Sequence, residues 1–240
     1  MRGREGPKVG PTIIAPFVRL SGRLSPTGLN TASSALSRPG APLSTAPTPR
    51  LIAISPGDGR PLTGWIDALA AARWPTVLLR EPEAPAARWR AEAERAEARG
   101  LQVIVHARCP GAEAGPYPLH RPSGPQPPPG AAPIWGQSCH QEDDADAIFA
   151  QGRRYVLLSP VWSPGSKPSD QRPTLGLSGL RAWAAGRPVL ALGGVDADRL
   201  RALAQAGAWG AALLSPFAGS DPEAAARALR SAWRQGGGPD

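Results

Sequence analysis

The chain has 240 residues, enough for one large domain or two small ones, and no apolar run in it approaches the roughly 20 residues that span a bilayer. Its two cysteines, Cys109 and Cys139, are too few for a disulfide framework, and with no secretory pattern they read as reduced thiols of a cytoplasmic protein. The net charge of +8 is concentrated in residues 1–50, where seven basic residues face one acid, so it offers no folded basic surface for nucleic acid.

Residues 1–50 are rich in Ser, Thr, Pro and Gly and lack sustained periodicity, which predicts a disordered extension. An Arg- and Ser-rich, acid-poor segment is also how a transit peptide reads, and translation from an upstream start codon in a GC-rich gene would give the same composition.

From Leu51 the pattern changes to short apolar runs separated by Ala/Arg/Glu segments of helical spacing. The predicted strands are Leu51–Ser55, Thr76–Arg80, Gln102–His106, Tyr117–His120, Pro133–Gly136, Tyr155–Ser159, Pro188–Leu192 and Trp209–Leu214. Helices are predicted between them, among others over 84–100, 142–152, 177–186, 196–207 and 221–235. After the third and fourth strands Pro/Gly-rich loops replace full helices. Near-continuous apolar strands alternating with helices imply a parallel sheet covered by helices. Eight such units over 51–235 predict an α/β protein, a single (β/α)8 TIM barrel. An open doubly wound sheet is the alternative, but no GxGxxG follows the first strand.

Chemistry in such a barrel sits at the C-terminal ends of the strands. After strand seven come Gly193 and Gly194, and after strand eight Ser215, each just before a helix. Glycines let backbone approach a ligand and helix N-termini attract anions, so these two loops are the expected phosphate site. Arg80 and Glu81 end strand two; they either pair with each other to hold a loop or leave Arg80 facing an anionic substrate. All three histidines, His106, His120 and His140, fall at or just after a strand end, without the close spacing of a zinc site. Lys167, one of only two lysines beside 25 arginines, stands in the loop after strand six, where it reads either as a compact cation for an anion or as a solvated loop residue.

Several segments together resemble the thiamine phosphate synthase / TenI (thiazole tautomerase) family: "WGQSCH", "YVLLSPVWSPGSK" with "TLGLSGL", "PVLALGGV", "AGAWGAALLSPF" and "LLRE". The resemblance covers Leu51 to Arg234 and implies a TIM barrel binding a small-molecule thiazole phosphate. It places Gly193, Gly194 and Ser215 on the phosphate, Arg80 on an anion, and Lys167 where synthases neutralise a pyrimidine diphosphate. It makes His140 the proton-transferring residue and Ser138 a hydrogen-bond partner of the ring or carboxylate, while Cys139 alternates away into packing. Synthases hold Mg²⁺ with an Asn-Asp after strand three and a Gln-x-Asp segment after strand four; here those places read "VHARCPG" and "LHRPSGPQ". Glu113, Asp143 and Asp144 are off those positions and read as solvated or capping acids. With "LHRPSG" and the histidine of "GQSCH" similar to the TenI branch, the expectation is a thiazole phosphate tautomerase using a histidine and no cofactor. Mg²⁺ enters only on the synthase alternative, and a third reading is a non-catalytic barrel that binds thiazole or thiamine phosphate for regulation. No nucleic-acid or membrane partner is expected, and a homo-oligomer is left open.

Overall fold

The computed structural model describes residues 46–124, 130, 132–163 and 172–239. Eight strands form a closed parallel barrel in chain order: β1 (Leu51–Ile54), β2 (Thr76–Leu79), β3 (Gln102–His106), β4 (Leu119–Arg121), β5 (Ile134–Cys139), β6 (Tyr155–Leu158), β7 (Val189–Ala191) and β8 (Gly210–Leu213). Outside it lie α1 (Thr63–Ala71), α2 (Ala86–Ala98), α3 (Ala145–Ala150), α4 (Gly176–Ala184), α5 (Ala197–Gln205) and α6 (Pro222–Gln235). The fold is the (β/α)8 barrel expected from the alternating pattern. No helix among the described residues is long and apolar enough to cross a membrane.

Strand parity divides the core into two layers. Ile52, Ile54, Leu78, Ile104, Tyr155, Leu157, Leu190 and Ala212 pack inside the barrel. The alternate residues, such as Ala53, Val77, Val105, Val156 and Val189, pack outward against the helices. Both faces are therefore apolar, which is why the strands read as continuous hydrophobic runs. The helices carry the matching stripe: α6 buries Ala226, Leu229, Ala232 and Trp233, begins with Pro222 after an Asp221 cap, and stops before Gly236. Closure between the first and last strands needs Gly210, because a Cβ there would stand 2.6 Å from the carbonyl carbon of Arg50. That approach lets the Ala211 N–H donate to the Arg50 carbonyl at 2.8 Å.

The expected break after the third strand is present, while the one expected after the fourth falls largely on 125–129 and 131, outside the described residues. A 3-10 turn (Ala112–Ala114) is the only helical turn between β3 and β4, and no helix is described between β4 and β5. Two outward positions of β4 and β5 are polar, beside the apolar Leu119 and Cys139: Arg121 is 2% exposed and pairs with Glu113, and Gln137 accepts from Arg153. Strand five runs further than its apolar stretch suggests, to Cys139, because Ser138 and Cys139 continue the register with Leu157 and Leu158 of β6. Ser138 thus belongs to a strand rather than to the loop after it. Helix α1 carries a weak sequence signal, with Thr63 and Gly64 in its first turn, and Glu92 on α2 completes its start by accepting the Leu62 N–H at 2.9 Å.

Candidate functional site

A cavity of about 220 Å³ opens at the C-terminal end of the barrel. Its floor is inward-facing apolar side chains: Ile54, Leu78, Leu157, Leu192 and Ala212. Above them the polar lining is Arg80, His106, His120, Ser138, Ser159, Arg172 and Ser215, together with Gly193 and Gly194. Five of the residues singled out from the sequence, Arg80, Ser138, Gly193, Gly194 and Ser215, therefore meet around one space. Lys167 lies outside the described residues.

His140 occupies a neighbouring recess with Gln141, Glu142 and Pro173, and shares Ser159, Pro160 and Arg172 with the cavity. Its Nδ1–H donates to the Ser159 carbonyl at 2.8 Å, which leaves Nε2 as the acceptor nitrogen, 3.2 Å from the Ser123 hydroxyl. Arg172 Nη1 lies 3.0 and 3.2 Å from the two ring nitrogens. Cys139 faces away from the barrel interior and is fully buried in the outer core layer, where burial pushes its thiol up to about 12.

Arg80 and Glu81 do not pair. Successive residues point to opposite faces, so Arg80 reaches the cavity while Glu81, 1% exposed, turns away to accept from the Ser55 hydroxyl at 2.6 Å and the Gly57 N–H at 3.1 Å. Burial raises the Glu81 carboxyl, with Ser55 and Gly57 opposing the shift. The pair of bonds fixes the loop after β1 beside the cavity. Gly57, with φ of 70°, is needed there because a Cβ would meet the Arg80 carbonyl at 2.7 Å.

On the opposite wall, Gly193 and Gly194 have φ of 97° and 62°. A Cβ on Gly194 would come within 2.6 Å of the Ser163 carbonyl, and one on Gly193 within 3.1 Å of the Trp162 carbonyl. The two glycines therefore allow the β7 turn to lie directly against the β6 loop. Ser215 opens a 3-10 turn (Ser215–Phe217) anchored by Phe217, which packs edge-on against Trp74.

Among the cavity residues whose role the sequence left unassigned, beside Ser159 and Arg172, are His106 and His120. Both end inward on neighbouring strands and are paired in register, with ring centroids 5.9 Å apart. Burial, with Arg80 and Arg108 nearby, lowers His106 to about 4, and burial lowers His120 well below the usual histidine value. Both imidazoles are therefore neutral near pH 7. His106 Nδ1 accepts the Arg108 N–H at 3.1 Å, so its proton is on Nε2. Their strand-end parity was the signal that could have assigned them to the interior.

The described lining contains cations, imidazoles, hydroxyls and backbone, but no carboxylate. Mg²⁺ requires oxygen ligands that normally include carboxylate. Among the described residues no cluster of three His, Cys, Asp or Glu could hold a metal. The nearby acids are engaged elsewhere: Glu113 with Arg121, Asp143 with the His140 N–H, and Asp144 as the cap of α3. The described residues do not fit a Mg²⁺ site. They fit an anionic ligand rich in acceptor oxygens.

A sequence model described as thiamine monophosphate synthase matches residues 51–217. Among curated proteins, the chain is 37% identical over 107 residues to a thiamine-phosphate synthase of Halorhodospira halophila, covering 42% of this chain and 49% of that one. It is 34% identical over 149 residues to a thiamine-phosphate synthase of a Mycobacterium species (strain JLS), covering 58% and 66%. The chain thus spans about half the length of most curated relatives it matches. Among solved structures, thiamine phosphate pyrophosphorylase from Pyrococcus furiosus superposes with a TM-score of 0.62 at 19% identity, over 78% of this chain and 96% of that one. The corresponding protein of Bacteroides thetaiotaomicron gives 0.52 at 20% identity, over 76% and 96%. These two likenesses concern the fold alone. The sequence model extends from the first barrel strand to the turn after the last one, and on that match the chain belongs to the thiamine monophosphate synthase family.

Proposed function

We propose that this barrel binds a small thiazole phosphate in the cytoplasm and moves a proton on its ring to make it aromatic, without a divalent metal. The observation that carries the proposal is the donor-rich cavity, in which no described carboxylate is available to hold Mg²⁺. The phosphate lies against Gly193, Gly194 and Ser215, and Arg80 supplies positive charge from the facing wall. Ser138 donates to the ring or to a carboxylate on it. His140 takes and returns the proton: its Nδ1–H is held by the Ser159 carbonyl, so Nε2 carries the basic lone pair. To use it, the ligand displaces the Ser123 hydroxyl now 3.2 Å away.

The test is incubation of the protein with non-aromatic thiazole carboxylate phosphate in the presence of EDTA, followed by ultraviolet absorbance. Aromatisation is expected, and His140→Ala should slow it by about a hundredfold or more. A wild-type rate no greater than buffer would sink the tautomerase reading. A second reading, condensation of a pyrimidine diphosphate with the thiazole phosphate, is favoured by the names of the curated relatives. Adding that diphosphate and Mg²⁺ to the same reaction tests it, and turnover to thiamine phosphate would replace the first reading with the second.

A further inference from the structure

His120, Gly136 and Tyr155 stand side by side on three adjacent strands, paired in register across β4, β5 and β6. A register shift between Leu119 and His120 puts His120 opposite Gly136 instead of Trp135. Gly136 has no side chain, and the Tyr155 ring fills that space: a Cβ at 136 would meet Cε2 at 2.5 Å and Oη at 2.6 Å. The phenol thereby crosses β5 and reaches the imidazole, stacking on it with an interplanar angle of 18°. Tyr155 Oη lies 3.1 Å from His120 Nδ1, and His120 Nε2 lies 2.8 Å from Ser138 Oγ, one layer nearer the cavity.

The direction of this chain follows from burial. Tyr155 is 0% exposed, and His120 Nδ1 is the partner of its hydroxyl among the described residues. Were Nδ1 protonated, it would donate to the phenol oxygen and leave the phenol hydrogen buried without an acceptor, at the full desolvation cost of that group. The phenol therefore donates to Nδ1, the neutral imidazole carries its proton on Nε2, and Nε2–H donates to Ser138 Oγ. Ser138 then has its own hydrogen left to give.

We infer that Tyr155, His120 and Ser138 form a one-way hydrogen-bond relay that fixes Ser138 as a donor toward a hydrogen-bond acceptor on the bound ligand. His120 is on this view a positioning residue and not a base, since the nitrogen facing Ser138 is the protonated one. The inference rests on the proposed ligand only for what Ser138 meets in the cavity; the relay itself does not depend on it.

The direct test is the nitrogen-15 spectrum of ligand-free protein, which identifies the protonated nitrogen of each imidazole. His106→Asn and His140→Asn variants assign the three histidines by elimination. His120 is expected as the Nε2–H form near pH 7, and an Nδ1–H form would overturn the relay. Tyr155→Phe keeps the ring and removes the donor, so His120 should lose its fixed tautomer. Affinity for hydroxyethylthiazole phosphate should then fall by about three- to tenfold, with inorganic phosphate binding unchanged. The same Tyr155→Phe change made in a Ser138→Ala background should have no further effect. Equal thiazole phosphate affinity in wild type and Tyr155→Phe, or additive effects, would refute the step from Ser138 to the ligand. If wild-type protein fails to bind the thiazole phosphate, the ligand reading fails, and the spectrum alone still decides the relay.

Discussion

Replacing Gly136 with alanine probes the layer on which the cavity floor is built. The added methyl would stand 2.5 Å from Tyr155 Cε2 and 2.6 Å from Oη, whereas carbon contacts relax at about 3.5–4.0 Å. The buried phenol must therefore move by about 1 Å in a close-packed interior. Overpacking of this kind costs about 1–3 kcal/mol. Loss of the 3.1 Å bond to His120 adds about 1 kcal/mol. Against this, Gly→Ala restricts the unfolded chain and returns about 0.4–1 kcal/mol. The net expectation is a destabilisation of about 1–3.5 kcal/mol, or a Tm lower by about 2–14 °C for a barrel of this size. Urea unfolding followed by tryptophan fluorescence, with eight tryptophans as reporters, gives the midpoint, which should fall at constant slope. Tyr155→Leu alone should cost about 2–4 kcal/mol by leaving a cavity. In the double variant the methyl enters the vacated space, so the combined loss should fall short of the sum by about 1 kcal/mol. A Gly136→Ala protein within about 0.5 kcal/mol of wild type, or strict additivity, would show that the ring does not lie across Gly136.

Stability should fall as pH drops from about 6.5 toward 4. His106 titrates near 6.5 when unfolded and at about 4 when folded, so its contribution is present above 6.5 and lost through that window, amounting to about 3 kcal/mol. Urea midpoints at pH 7, 5 and 4 should decline less steeply for His106→Asn, and parallel curves would contradict the assignment. Arg80→Ala should weaken hydroxyethylthiazole phosphate binding by about tenfold or more in calorimetry, while leaving the unfolding midpoint unchanged, since no carboxylate pairs with Arg80 among the described residues. Gly210→Ala should exceed Gly136→Ala in cost, because its methyl meets the Arg50 backbone, which cannot rotate away; soluble yield and midpoint measure this.

Much of the architecture was carried by local sequence. Buried strands with helices on one face and barrel interior on the other must be apolar at every position, and the runs at Leu51–Ile54, Val77–Leu79 and Tyr155–Leu158 show it. Capping and amphipathic spacing marked α5 and α6. The glycines of the β7 turn were legible because positive φ and close approach leave few other residues suitable. Strand-end position likewise located Arg80 and Ser215 on the cavity rim.

What the sequence could not supply was the set of partners across the barrel. Whether Glu81 pairs with Arg80 or with Ser55 depends on which face each occupies and what lies opposite. The extension of β5 through Ser138 depends on pairing with β6, because Gln137 and Ser138 have no strand signal of their own. The placement of His140 beside the cavity, with His106 and His120 lining it, follows from where the strands end relative to one another. Above all, Tyr155 meets His120 only because a register shift brings a side-chain-free residue between them. The alternation of apolar runs with helices determines a parallel sheet covered on both faces, and eight such units point to its closure into a barrel. Which polar groups meet inside it is a matter of register and shear between strands far apart in the chain, and only the closed tertiary structure sets that.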